Sequence, residues 1–192
     1  MAYNPNTHNR KSIRLKEFDY SQPGLYFVTI CCQDRKCLFG AIKNNDMILN
    51  NAGQMINDEW LKLPQRFPNI KLHEYIVMPN HFHGILEIVG ETLVVSRNDA
   101  TTQNDNTTQK GQPQGFGPTG KTLGDMVGAF QSITTVKYIN GVKTKNWERF
   151  NKKMWQRNYW EHIIRNKKSL IKIGEYIIDN PKKWDNDKFN KF

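Results

Sequence analysis

The chain has 192 residues, enough for one compact domain and too few for a (β/α)8 barrel, which needs about 250. An aromatic content of 11% excludes a solvated basic tail, and 28 Lys and Arg against 18 Asp and Glu leave a net charge of +10. That balance points to a polyanionic partner, either nucleic acid or an acidic membrane surface. The three cysteines, Cys31, Cys32 and Cys37, are odd in number and form no CxxC pair, which excludes a disulfide framework and a four-cysteine zinc site. Met1 to Arg14 is polar with no apolar run of signal-peptide length, and no segment approaches the roughly 20 apolar residues of a membrane span. A cytoplasmic protein with reduced thiols and no membrane partner is expected.

In chain order, Leu25–Cys32 (LYFVTICC) follows a Pro-Gly turn and reads as a strand. A hairpin-like stretch from Cys37 to Leu49 is broken at Asn44-Asn45-Asp46. Ala52–Phe67 is expected as a helix, with Met55, Ile56, Trp60 and Leu63 on one face. Leu72–Met78 and Phe82–Val89 read as strands joined at Pro79-Asn80. Ser96–Gly120 holds only Ala100 and Phe116 as apolar residues, too few to offset the entropy of ordering, and reads as a flexible insertion. Helical spacing resumes over Leu123–Ile139. Trp155–Ile164 reads as a short strand with irregular flanks, and Asn166–Asn180 as a last helix stopped by Pro181. The order matches a βαββαβ ferredoxin-like α+β sandwich, an antiparallel sheet with helices on one face and an added C-terminal helix. The expected organisation is a polar segment at 1–20, a domain over 21–184 carrying the insertion at 96–120, and a short basic tail at 185–192.

Charge is concentrated late. From Lys143 to Phe192 there are 14 basic and 6 acidic residues, which is +8 of the +10. These cations are interleaved with Trp147, Phe150, Trp155, Tyr159 and Trp160. Charges that neutralise phosphates beside rings that stack bases are what single-stranded nucleic acid requires. The candidate contacts here are Lys152, Lys153, Trp155, Arg157, Tyr159, Trp160 and Arg165, with Arg10, Lys11, Arg14 and Lys16 as an N-terminal group.

His81-Phe82-His83 opens the strand HFHGILEIV. Residues two apart on a strand share a face, so the two imidazoles can meet one divalent ion while Phe82 points away. Two histidines leave such a site incomplete. On the last helix, Tyr176 and Asn180 stand one turn apart at the flank of the stripe Leu170, Ile173, Ile177 and Ile178, with Lys172 a turn earlier. Read alone, that helix is better explained as an amphipathic helix with a packed Tyr and an Asn ending it before Pro181.

The runs YIVMPNHFHGIL, MWQRNYWEHIIRN and GEYIIDNPKKW together resemble the single-tyrosine HUH transposases of bacterial insertion sequences, most of all the REP-associated tyrosine transposases. The resemblance spans Pro23 to Trp184 outside the polar insertion. It implies a ferredoxin-like fold, His81 and His83 as ligands of Mg2+ or Mn2+, Asn180 as the third ligand and Tyr176 as the nucleophile. Tyr159 is the competing tyrosine, and Glu161 and His162 match a Glu-His pair that supports the site or the fold. The implied substrate is single-stranded DNA bearing a hairpin, cut through a 5′-phosphotyrosine link. A homodimer is a further partner among relatives of this kind. Neutral imidazoles are needed to bind metal, so activity is expected to fall below about pH 6.5. The rival readings are a DNA-binding regulator that has lost turnover and an RNA-binding ferredoxin-like module.

Overall fold

The computed structural model describes residues 14–90 and 121–190. The insertion expected at 96–120 lies outside them. Among the described residues the strands and α-helices run in the order β1 (Gly24–Cys31), β2 (Gly40–Lys43), β3 (Asp46–Leu49), α1 (Asn51–Leu61), α2 (Leu63–Arg66), β4 (Ile70–Val77), β5 (His81–Ile88), α3 (Leu123–Thr144), β6 (Trp160–Ile164) and α4 (Lys167–Ile178). Four strands form one antiparallel sheet in the order β4-β5-β1-β6. With α1 between β1 and β4, and α3 between β5 and β6, this is the ferredoxin-like βαββαβ arrangement.

Local chemistry sets the ends of these elements. Asn50 caps α1 by accepting from the amides of Ala52 and Gly53, Thr122 and Asp125 close a capping box on α3, and Asn166 caps α4. Asn44 and Asn45 both adopt positive φ, which gives the β2–β3 hairpin a two-residue turn matched to the strand twist. The expected single helix over 52–67 is instead α1 and α2, broken at Lys62. Pro64 lies in the first turn of α2, and its ring and missing N–H forbid continuation of α1 through that position.

The sheet buries both faces. On one, Tyr26, Val28 and Ile30 of β1 and Phe82 and Leu86 of β5 pack with Ile56 and Trp60 of α1 and Met126, Val127 and Phe130 of α3. On the other, Ile85, Ile164 and Ile177 pack with Phe27, Leu170 and Ile173 beneath α4. Helices therefore lie on both faces, the added C-terminal helix alone on the second. Ile178, expected in the apolar stripe of α4, is exposed, and Gly174 takes the buried position instead.

Gly84 links the core to the site. A Cβ there would lie 2.7 Å from the Trp60 ring, which packs on Phe82 at 4.6 Å between centroids. The missing side chain lets Trp60 close over Phe82, and alternation then turns His81 and His83 to the α4 face.

Candidate active site

β5, α4 and the turn after α4 bring the implied residues together. His81 and His83 are both fully buried, with ring centroids 4.6 Å apart. Tyr176 of α4 reaches over them, its hydroxyl 3.4 Å from His83 Nε2 and its ring edge-on to Phe27. Asn180 follows one turn later, buried, in the turn that ends α4.

The hydrogen bonds orient both rings. Asn80 Nδ2 donates to the carbonyls of Arg35 and Phe189 at 2.9 and 2.8 Å, so the oxygen of that amide is the atom 2.8 Å from His81 Nδ1. His81 Nδ1 must then carry the proton, and the Nε2 lone pair is free. His83 Nδ1 is held at 2.8 Å by the Thr29 hydroxyl, leaving Nε2 toward Tyr176. A partner on the far nitrogen is how metal-binding imidazoles are fixed.

Burial drives His81 down to about pKa 3, against an upward pull from Asn180, with the charges of Arg35 and Lys188 adding to the fall. His83 is held well below its ordinary value, first by burial and then by His81 and Lys188. Burial raises the Tyr176 phenol, the Asn180 amide opposes it, and Asp187 and Cys31 add to the rise. Asn180 is thus near enough to bias both neighbours. No hydrogen bond closes, however, and His81 Nε2 and Asn180 Oδ1 are both buried without a partner. Leaving two such atoms unmet is costly, and a cation between them would satisfy both. Two neutral imidazoles and an amide oxygen fit a divalent ion. Among the described residues no group of three His, Cys, Asp or Glu offers another site.

The C-terminal segment, expected as a basic tail, covers this pocket. A 3-10 turn over Pro181–Asn186 stacks Trp184 on His81 at 6.0 Å. The Phe189 ring is buried 4.6 Å from His81 and 6.0 Å from His83. Arg35 donates to the Lys188 carbonyl and lies over the Phe189 ring. Thr29, Asn80, Trp184 and Phe189 are site residues that the motifs did not identify. The available signals were a Trp closing the last motif for Trp184 and a large aromatic in a short charged tail for Phe189.

The other candidates divide. Tyr159 belongs to the main core on the α3 side of the sheet, away from the histidines. Burial raises its phenol to about 12, and Arg14 lies 3.7 Å over its ring. Glu161 and His162 alternate to opposite faces. Glu161 is buried, pairs with Arg14 and accepts from the Tyr20 hydroxyl at 2.8 Å, a structural arrangement. His162 is exposed on the site face, opposite Phe27. Lys172 is exposed on α4. Trp155 is corrected from a DNA contact to a core residue: its ring packs on Phe39 and its Nε1 donates to Thr134 at 3.0 Å. Lys152, Lys153 and Arg157 are exposed along a cleft of about 410 Å³ beside α3. Arg165 and Lys16 flank a second cleft, of about 430 Å³, along β6. Arg10 and Lys11 lie outside the described residues.

No family model matches the chain. It is 39% identical over 188 residues to an uncharacterized protein of Haemophilus influenzae, covering 96% of this chain and 95% of that one. The two belong to one family. A solved REP-associated tyrosine transposase, bound in its structure to a REP hairpin, is similar at a TM-score of 0.52 and 19% identity, over 91% of this chain and 74% of that one. The fold is that of the REP-associated tyrosine transposase, and the resemblance carried by the HFHG and EYIIDN motifs extends to the architecture around them. No helix among the described residues is long and apolar enough to cross a membrane.

Proposed function

We propose that this family member nicks and rejoins single-stranded DNA beside a hairpin, with Tyr176 as the nucleophile. The observation that carries the reading is the meeting of the buried His81, His83 and Asn180 beside the part-exposed Tyr176, with two of their polar atoms unpartnered. His81, His83 and the Asn180 oxygen would hold Mg2+ or Mn2+, which when bound draws charge from the scissile phosphate and orients it.

The protein's own groups do the rest. Asn80 holds His81 in one tautomer, Thr29 orients the His83 ring, and burial keeps both imidazoles neutral. Attack by Tyr176 Oη forms an oxygen–phosphorus bond and breaks the bond to the 3′-oxygen. The phenol loses one proton and the departing 3′-oxygen gains one. The product ester keeps the energy of the original diester, so a 3′-hydroxyl can reverse the step and join strands without ATP. Lys152, Lys153 and Arg157 supply phosphate-neutralising charge outside the pocket. The REP hairpin held by the solved neighbour supports a hairpin as the feature recognised.

One observation favours a second reading, a hairpin-binding regulator without turnover: the Phe189 ring is seated on both imidazoles. End-labelled DNA hairpins with single-stranded flanks, incubated with the protein in Mn2+ or in EDTA, separate the two. Cleavage in Mn2+ alone, leaving a free 3′-hydroxyl, is expected. Tight binding without cleavage under either condition would establish the regulator.

A further inference from the structure

The β6 end of the α4 face of the sheet is left open at Trp160 and His162, across β1 from the His83 that Tyr176 contacts. The strand register fixes what stands there. Thr29 pairs with His83 on one side and with Trp160 on the other, so His83, Thr29 and Trp160 form one row across β5, β1 and β6. Phe27 and His162 form the next row beside Ile85. α4 packs along the end of β6 near Ile164 and over β5 and β4, which leaves the Trp160 end uncovered.

Trp160 is 61% exposed, while Trp60, Trp155 and Trp184 are buried. It has no ring partner among the described residues. Tyr176 meets the His83 ring and, edge-on, the Phe27 ring of β1, and remains 36% exposed. Two interstrand steps of about 4.8 Å place the Trp160 column about 10 Å from that of His83. The surroundings are basic. Arg157 and Arg165 bracket β6, Lys167 and Lys168 begin α4, and the cleft along the outer edge of β6 is lined by Lys16, His162 and Arg165. The single carboxylate in that cleft, Glu161, is already paired with Arg14.

An exposed indole on a strand, next to a phosphate-handling pocket and among cations, has a specific use. We propose that Trp160 is the stacking platform for a base of the single strand flanking the scissile phosphate, with the sugar-phosphate chain following the basic edge of β6. This rests on the reading of the pocket as a single-stranded DNA site and adds the residue that seats the neighbouring nucleotide. Stacking of a base on an aromatic ring is sequence-tolerant, so the subsite sets the register of the strand rather than its sequence.

The test is a titration of the full chain with oligo-dT, and with an abasic strand of the same length, followed by tryptophan fluorescence. The wild type should be quenched by oligo-dT, and the abasic strand should bind more weakly and quench little. Trp160→Leu should lose the quenching and bind oligo-dT about ten-fold more weakly, while binding the abasic strand as the wild type does. Trp160→Tyr should recover most of the affinity. Equal oligo-dT affinity of Trp160→Leu and wild type overturns the stacking subsite alone. Failure of the wild type to bind either strand overturns it together with the DNA reading on which it rests. Matched thermal melts exclude misfolding, which Trp160 at an open edge does not predict.

Discussion

A buried imidazole must satisfy two ring nitrogens, and at His81 the protein satisfies only one. Asn80 fixes Nδ1, and nothing meets Nε2. Its burial also changes the pH behaviour inferred from ordinary histidines. With His81 near 3 and His83 well below its usual value, neither ring protonates at pH 6.5 in the folded chain, so the acid limit of metal binding moves below that value. Stability responds instead. Unfolded rings take up protons from about pH 6.5 downward and the folded ones do not, so the unfolded state gains protons first and the fold weakens as pH falls through this window. Each ring should contribute a loss of about 1.4 kcal/mol per pH unit. Urea unfolding of the metal-free protein at pH 7 and pH 5.5 should show the decline, with a shallower one in His81→Gln. A midpoint unchanged between the two pH values would contradict the burial of these rings.

At the level of elements, much of the fold could be read from alternation and turn chemistry, because each core strand is flanked by Gly, Pro or Asn and carries β-branched or aromatic residues. Four features escaped. The break between α1 and α2 depends on one proline within an otherwise continuous apolar pattern. α3 continues past Ile139 to Thr144 because Gly141 lets Trp147 pack directly on the helix backbone, a tertiary effect without local signature. β6 begins only at Trp160, since Trp155 leaves the strand path to fill the core and pairs through an isolated bridge with Cys32, just beyond β1. The tail was charged enough to look solvated, yet Phe189 finds the apolar faces of two neutral rings. That contact lies against both histidine rings, and under the proposed function DNA entry there would require its release. Phe189→Ala should therefore accelerate DNA cleavage several-fold under single-turnover conditions, measured at saturating Mn2+. An unchanged or slower rate would show that Phe189 supports the site rather than covering it.

The whole molecule separates its tasks by sheet face. One face holds the large aromatic core with α1 and α3, where Tyr159 and Trp155 are used for packing. The other carries the histidine pair, α4 and the open strip at Trp160. The pairing of His81 with His83 on one face was legible from strand alternation, whereas Tyr176 and Asn180 were singled out by the resemblance of the three motifs, since the helix read alone is better explained as a packing helix. The assignment of Trp155 to DNA failed because composition places a ring in a basic segment without giving its depth. The central claim, that Tyr176 and not Tyr159 is the nucleophile, is tested most directly by intact-mass analysis of the protein after incubation with single-stranded hairpin DNA and Mn2+. The account predicts a covalent protein–DNA adduct in the wild type and in Tyr159→Phe, and none in Tyr176→Phe. An adduct that survives Tyr176→Phe would contradict it.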